Sequence, residues 1–145
     1  MPGIVVGIDG SPNAERALDW AMGHAAVLHA PLTVIAVHEV PKSYWGHIPV
    51  AGPADKVAVE EERKAAQEMT QRIASQLGDA APADVSVVAV IGFVVEELVK
   101  ASRDADMLVV GARGVGGFAR LLLGSVSSQI VSHSVCPVVL VPHQR

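Results

Sequence analysis

Residues 106–128 read DMLVVGARGVGGFARLLLGSVSS, and this stretch decides how the rest of the chain is read. A short apolar run, 107–110, stops at Gly111. A loop studded with glycines follows, with Gly111, Gly114, Gly116 and Gly117. Beyond Leu121, Leu122 and Leu123, the pair Gly124-Ser125 opens a helix-like stretch. Strand, glycine loop and helix N-terminus in that order suit an anion. Glycines open the region of positive φ and let backbone N–H groups approach a ligand with no Cβ between. The unpaired N–H groups and the positive dipole end of a helix then favour phosphate. Two commoner phosphate loops are excluded. A Walker A loop ends in Gly-Lys-Ser/Thr, and here Gly124 is followed directly by Ser125. A dinucleotide fingerprint opens a chain and has an acidic residue about 20 residues further on in the next strand. This loop sits late and has none.

Outward from the loop, apolar runs alternate with helical periodicities. Residues 3–8 form a β-branched run, ended by Asp9-Gly10-Ser11-Pro12. Ser11 suits an N-cap and Pro12 a first helical residue. Ala14, Ala17, Leu18, Ala21, Ala25 and Leu28 then keep helical spacing to about residue 29, where Ala30-Pro31 breaks it. Residues 32–38 are a near-continuous apolar run, suited to a strand covered on both faces. Residues 41–53 hold prolines, glycines, Tyr44 and Trp45 without any period. That loop is either a lid over a ligand or a segment that tucks Trp45 against the body. Residues 55–77 form a long amphipathic helix with Val59, Ala66, Met69, Ile73 and Leu77 in one stripe, and Gly78 stops it. After a linker at 80–84 come a strand at 85–90, a helix at 94–102, a strand at 106–110, a helix at 125–133 and a strand at 138–141. Glu96 and Lys100 stand one turn apart as a supporting pair.

Strands alternating with helices predict an α/β fold, an open parallel five-stranded sheet joined by right-handed crossovers and covered by helices on both faces. At 145 residues the chain is read as one domain, 1–145, able to bury roughly 70% of its unfolded surface. Half the residues are hydrophobic and only 3% are aromatic, which suits Val-rich strands under Ala-rich helices. Ligands of such sheets bind at the carboxyl ends of the strands. Asp9, Glu39 and Gly111 stand at three of those ends.

Charge and composition exclude other classes. Eleven Lys and Arg against fifteen Asp and Glu give a net charge of −4, with no basic run, so no nucleic-acid partner is expected. No apolar stretch approaches the length of a membrane span, and no secretory leader is read at the N-terminus. The expectation is a soluble cytoplasmic protein with no membrane partner. The single cysteine, Cys136, lies among apolar neighbours and is expected to be a buried structural thiol. The acidic run at 60–62 is expected to be a solvated helix face. The six histidines show no ligand spacing: His24 and His29 lie on different helix faces, and His133 suits a helix C-terminus. No metal site and no catalytic residue are assigned.

The spacing of the central stretch is specific. Gly111, two residues, Gly114, nine residues and Gly124-Ser125 make G-x2-G-x9-G-[S/T]. This resembles the nucleotide-binding signature of the universal stress protein family. VVGIDGS at 5–11, VIAVHEV at 34–40 and CPVVLVP at 136–142 resemble the same family in the same order, so the resemblance covers essentially the whole chain. It implies a Rossmann-like fold, similar to the adenine nucleotide alpha hydrolase-like class, with strand order 3-2-1-4-5. It implies ATP, with Mg2+, as the ligand.

The expected site then follows. Val110 and Gly111 end the strand, and Gly114, Gly116, Gly117 and the Gly124-Ser125 turn hold the phosphates. Ser125, Val126 and Ser127 offer N–H groups, and the hydroxyls of Ser125 and Ser127 offer further donors. Arg113 and Arg120 either screen phosphate or lie solvated. The resemblance places Asp9 near the nucleotide, although Asp9 also reads as a turn residue bonding its own backbone. It places Gly7 and Ile8 under the adenosine and the backbone of Glu39 at the adenine. It further implies a homodimer paired through the apolar C-terminal strand. The function expected is that of an ATP-binding, nucleotide-dependent regulator of the stress response, not an enzyme beyond slow hydrolysis. Two alternatives stay open: a sensor of AMP or cyclic AMP on the same fold, and a dimeric interaction protein that binds no nucleotide.

Overall fold

In the computed structural model, residues 2–9, 12–40, 50–112 and 125–142 are described. The strands are β1 (Ile4–Ile8), β2 (Leu32–Glu39), β3 (Val85–Gly92), β4 (Met107–Gly111) and β5 (Val138–Val141). The helices are α1 (Pro12–Leu28), α2 (Pro53–Leu77), α3 (Val94–Ser102) and α4 (Ser125–His133), and Gly78–Ala80 is a single 3₁₀ turn. All pairings are parallel, and the strand order is β3-β2-β1-β4-β5. The fold class and order expected from the sequence are those found.

Alternation along each strand divides the core into two layers. Ile4, Val6 and Ile8 of β1 join Leu32 and Val34 of β2, and Val109 of β4, against Leu18, Met22, Ala66 and Ile73 of α1 and α2. Val5, Ile35, Leu108 and Val110 point the other way, onto Leu98 of α3 and Ile130 of α4. With helices on both faces, strand residues of either parity are apolar. That is why the strands read as runs and not as alternations.

The termini of the elements depart from the sequence reading by a few residues, for identifiable reasons. Asp106 is outside β4: its carboxylate accepts the Gly3 N–H at 3.0 Å, and its own N–H donates to the Gly3 carbonyl at 2.8 Å. Gly3 sits at φ +86°, and a Cβ there would lie 2.3 Å from the Pro31 carbonyl oxygen. Helix α2 begins at Pro53, two residues before the expected start, because Asp55 accepts the Gly52 N–H at 2.8 Å and closes the first turn. Gly78, at φ +57°, ends α2 as expected, donating to the Ala74 carbonyl. Cys136 is half-buried, not fully buried, with its Sγ 3.4 Å from the Pro137 carbonyl oxygen. It still packs against the α3–α4 core.

Candidate functional site

Helices α1 and α2 cover one face of the sheet, and α3 and α4 the other. The crossovers therefore reverse direction between β1 and β4, and a crevice opens at the carboxyl ends of those strands. Ile8 ends β1 there with Asp9 just beyond it, Glu39 ends β2, and Val110 and Gly111 end β4. Ser125 begins α4, with Val126 half-buried against the α3–α4 core behind it. Arg113, Gly114, Gly116, Gly117, Arg120 and Gly124 lie outside the described residues, as do Tyr44 and Trp45.

On the α2 side of the crevice is a cavity of about 140 Å³ lined by Ile8, Asp9, Ala36, Val37, Glu62, Ala65, Ala66 and Met69. Whole small-molecule pockets run to roughly 300–1,000 Å³, so it has room for a fragment of a ligand. A larger hollow of about 490 Å³ lies at the other end of the sheet, between the end of α1 and the turn after α2, around Val27, His29, Leu77 and Pro82. It is remote from the carboxyl ends of the strands and from α4, and topology favours the smaller cavity as the candidate site.

Several expected site residues have structural roles of their own. Gly7 lies in the middle of the sheet, and a Cβ on it would come within 2.9 Å of both methyls of Leu98. Its missing side chain makes room for α3. Ser127 is buried, and its Oγ lies 3.5 Å from the Gly111 carbonyl oxygen, the outer limit of a hydrogen bond. The hydroxyl expected to face a phosphate is thus turned to the end of β4. The Glu39 side chain reaches toward the first turn of α3, with Oε1 3.4 Å from the Val94 N–H, where a carboxylate complements the helix dipole.

The sequence reading missed one cluster. His38 stands near the end of β2, with Nε2 3.0 Å from Asp55 Oδ1 and Nδ1 2.9 Å from Glu62 Oε1. The acidic run is therefore not a uniformly solvated face: Glu60 pairs with Arg63 on the surface, while Glu62 pairs with His38 beside the cavity. The two carboxylates, Glu62 first and Asp55 second, hold the His38 ring above its ordinary 6.5. Asp55 is held below the usual carboxylate range, first by the Gly52 N–H and then by His38. A signal was present. Asp55 and Glu62 are seven apart, which places them on one helix face about 10 Å apart along the axis, enough to span an imidazole. Among the described residues no group of three or more His, Cys, Asp or Glu is arranged to hold a metal ion.

Fold and crevice together define a doubly wound α/β protein, a class in which ligands bind at the carboxyl ends of the strands. The model of the universal stress protein family matches residues 2–142, and the chain belongs to that family. It is 32% identical over 139 residues to universal stress protein Rv2005c of Mycobacterium tuberculosis (strain ATCC 25618 / H37Rv), covering 96% of this chain and 47% of that protein. The chain thus spans about half the length of the curated relatives it matches. A crystal structure of a universal stress protein in complex with cAMP superposes with a TM-score of 0.69 at 27% identity, covering 97% of this chain and 96% of the other. UspA from Lactobacillus plantarum superposes with a TM-score of 0.74 at 22% identity, over 97% of each chain, and shares the fold. No helix among the described residues is long and apolar enough to cross a membrane.

Proposed function

We propose that this chain binds an adenine nucleotide, ATP with Mg2+, at the carboxyl ends of β1, β2 and β4. On this reading it is a nucleotide-dependent regulator of the stress response, with slow hydrolysis at most. One observation carries the reading: Gly111, Gly114 and Gly124-Ser125 keep the G-x2-G-x9-G-[S/T] spacing between β4 and α4. The cAMP complex of a relative with the same fold supports an adenine nucleotide as the ligand class. The run of glycines with two arginines in the loop favours a polyphosphate over a monophosphate. No side chain is assigned as an activated nucleophile or general base, so the phosphates would be held without activation of water.

The assembly proposed is a homodimer paired through β5, the edge strand beyond β4 among the described residues. Val131 and Val135, 46% and 70% exposed, add an apolar surface on the chain leading into that strand. A cytoplasmic location is part of the same proposal.

The test is thermal. With ligand about 100 times Kd, binding adds roughly 2.7 kcal/mol, equivalent to about 5–10 °C for a chain this size. MgATP is expected to raise the melting temperature by that amount, and more than AMP or cyclic AMP does at equal concentration. Gly114→Val, which puts a Cβ where backbone is proposed to meet phosphate, is expected to abolish the shift without lowering the melting temperature of the free protein. A flat melting temperature with millimolar ATP, AMP and cyclic AMP would sink the nucleotide reading. A shift with AMP or cyclic AMP alone would replace ATP by the monophosphate.

A further inference from the structure

His38 has hydrogen-bond partners on both ring nitrogens, and both partners are carboxylates of α2 two turns apart. Only the doubly protonated ring donates to both. A neutral imidazole carries one N–H, and its other nitrogen would present a lone pair to a carboxylate oxygen about 3 Å away. One of the two contacts must then open. Asp55 keeps a second partner, since its other oxygen accepts the Gly52 N–H at 2.8 Å. Glu62 is the more exposed of the two, with 43% of its side chain accessible against 31% for Asp55. It is also the one that lines the cavity, together with Asp9.

We propose that His38 is a proton-operated clasp on the ligand cleft. Doubly protonated, it ties the first turns of α2 to the end of β2 and holds Glu62 in the cavity wall. Loss of one proton removes the ring's positive charge, releases Glu62 and leaves its carboxylate uncompensated by His38 beside the cleft. Among the described residues the charged groups facing His38 are Asp55 and Glu62 from α2, while β3 presents Ile91 at the paired position. Just after β1, Asp9 lines the same cavity as Glu62. An anionic ligand in the crevice therefore favours the protonated clasp, and by linkage the protonated clasp favours the ligand. The raised pKa of His38 agrees with this direction. Its folded-state pKa lies above the unfolded 6.5, so the clasp is fully formed below 6.5 and is lost as pH rises through the folded value.

The regulatory half of this inference rests on the nucleotide reading, and the clasp itself does not. The experiment compares wild type with His38→Gln, which is neutral at every pH, in two measurements. The first is the melting temperature of the free protein from pH 5.5 to 9. Wild type is expected to exceed the variant at pH 5.5–6.5, with the gap closing above that range. A gap that stays constant with pH overturns the clasp. The second is the Kd of MgATP over the same range. The ratio of variant to wild-type Kd is expected to be about fivefold at low pH, the lower end of typical coupling between sites, and to approach one at high pH. The ratio removes the ligand's own titration. A ratio independent of pH overturns the link to the cleft. Absence of binding by wild type defeats the nucleotide reading, and the first measurement still decides the clasp.

Discussion

Gly7 is where the sequence and the structure give different reasons for one residue. The family resemblance places it under a ligand, while the geometry fills its side-chain direction with Leu98. Gly7→Ala separates the two reasons. The new Cβ would stand 2.9 Å from both Leu98 Cδ atoms, inside the roughly 3.5–4.0 Å of an optimal carbon contact. Leu98 is 3% exposed and packs with Val5, Ile35, Leu108 and Ile130, so its methyls have little room to retreat. Overpacking of this kind costs about 1–3 kcal/mol. The reduced freedom of the unfolded chain returns roughly 0.4–1 kcal/mol. The net expectation is a loss of about 1–2 kcal/mol, a fall of roughly 3–8 °C. Leu98→Ala alone should cost about 2–5 kcal/mol. In that background Gly7→Ala should cost nothing or stabilise slightly, because the colliding methyls are gone. The assay is urea unfolding of the four proteins of the cycle, read as a coupling energy of about 1–2 kcal/mol. Equal cost of Gly7→Ala in both backgrounds would refute the packing account and return Gly7 to the ligand.

Two further outcomes are expected. Ser102, 1% exposed, donates to the Val99 carbonyl at 2.6 Å and accepts the Val135 N–H at 3.1 Å, so Ser102→Ala should cost about 1–2 kcal/mol by stranding that donor, and a melting temperature unchanged within 1 °C would contradict it. Pro137 and Val141 accept bonds from Leu108 of β4 and from Ala112 just beyond it, so Val138 and Leu140 turn their backbone groups away from β4; Val138→Pro should shift a dimer to monomer in light scattering with little loss of stability, and a wild type that runs as a monomer at tens of micromolar defeats the edge-paired dimer.

Most of the fold was legible because its strands are buried on both faces. Runs such as VVGI and VIAV carry no alternation, yet their length, their β-branched residues and the helical periods between them leave a parallel sheet as the simple solution. The boundaries were less legible where a side chain far away in sequence ends an element. Asp106 reads as strand by its place beside Met107, but its bond to Gly3 lies 103 residues away. Of the candidate site, its place in the topology was legible, since Asp9, Glu39 and Gly111 stand at the carboxyl ends of β1, β2 and β4. The His38 cluster was not. Its partners are 17 and 24 residues distant, and only the crossover through α2 brings them together. The spacing of Asp55 and Glu62 shows that they share a helix face, but nothing in it says that a histidine waits opposite.

The charges around the crevice also order the proposed ligand within it. Asp9 and Glu62 face one cavity at the α2 end, where carboxylates disfavour phosphate and accept hydrogen bonds from hydroxyl or amino groups. The start of α4 lies on the β4 side, where a helix N-terminus attracts anions. A nucleotide held across these two surfaces would direct its sugar toward α2 and its phosphates toward β4. Each surface alone is weak: the cavity holds only part of a ligand, and one helix terminus contributes about 0.3–1 kcal/mol. Selectivity would come from needing both. A free polyphosphate should then bind far more weakly than ATP, because it engages the β4 side alone and brings no hydroxyl or amino group to the α2 side.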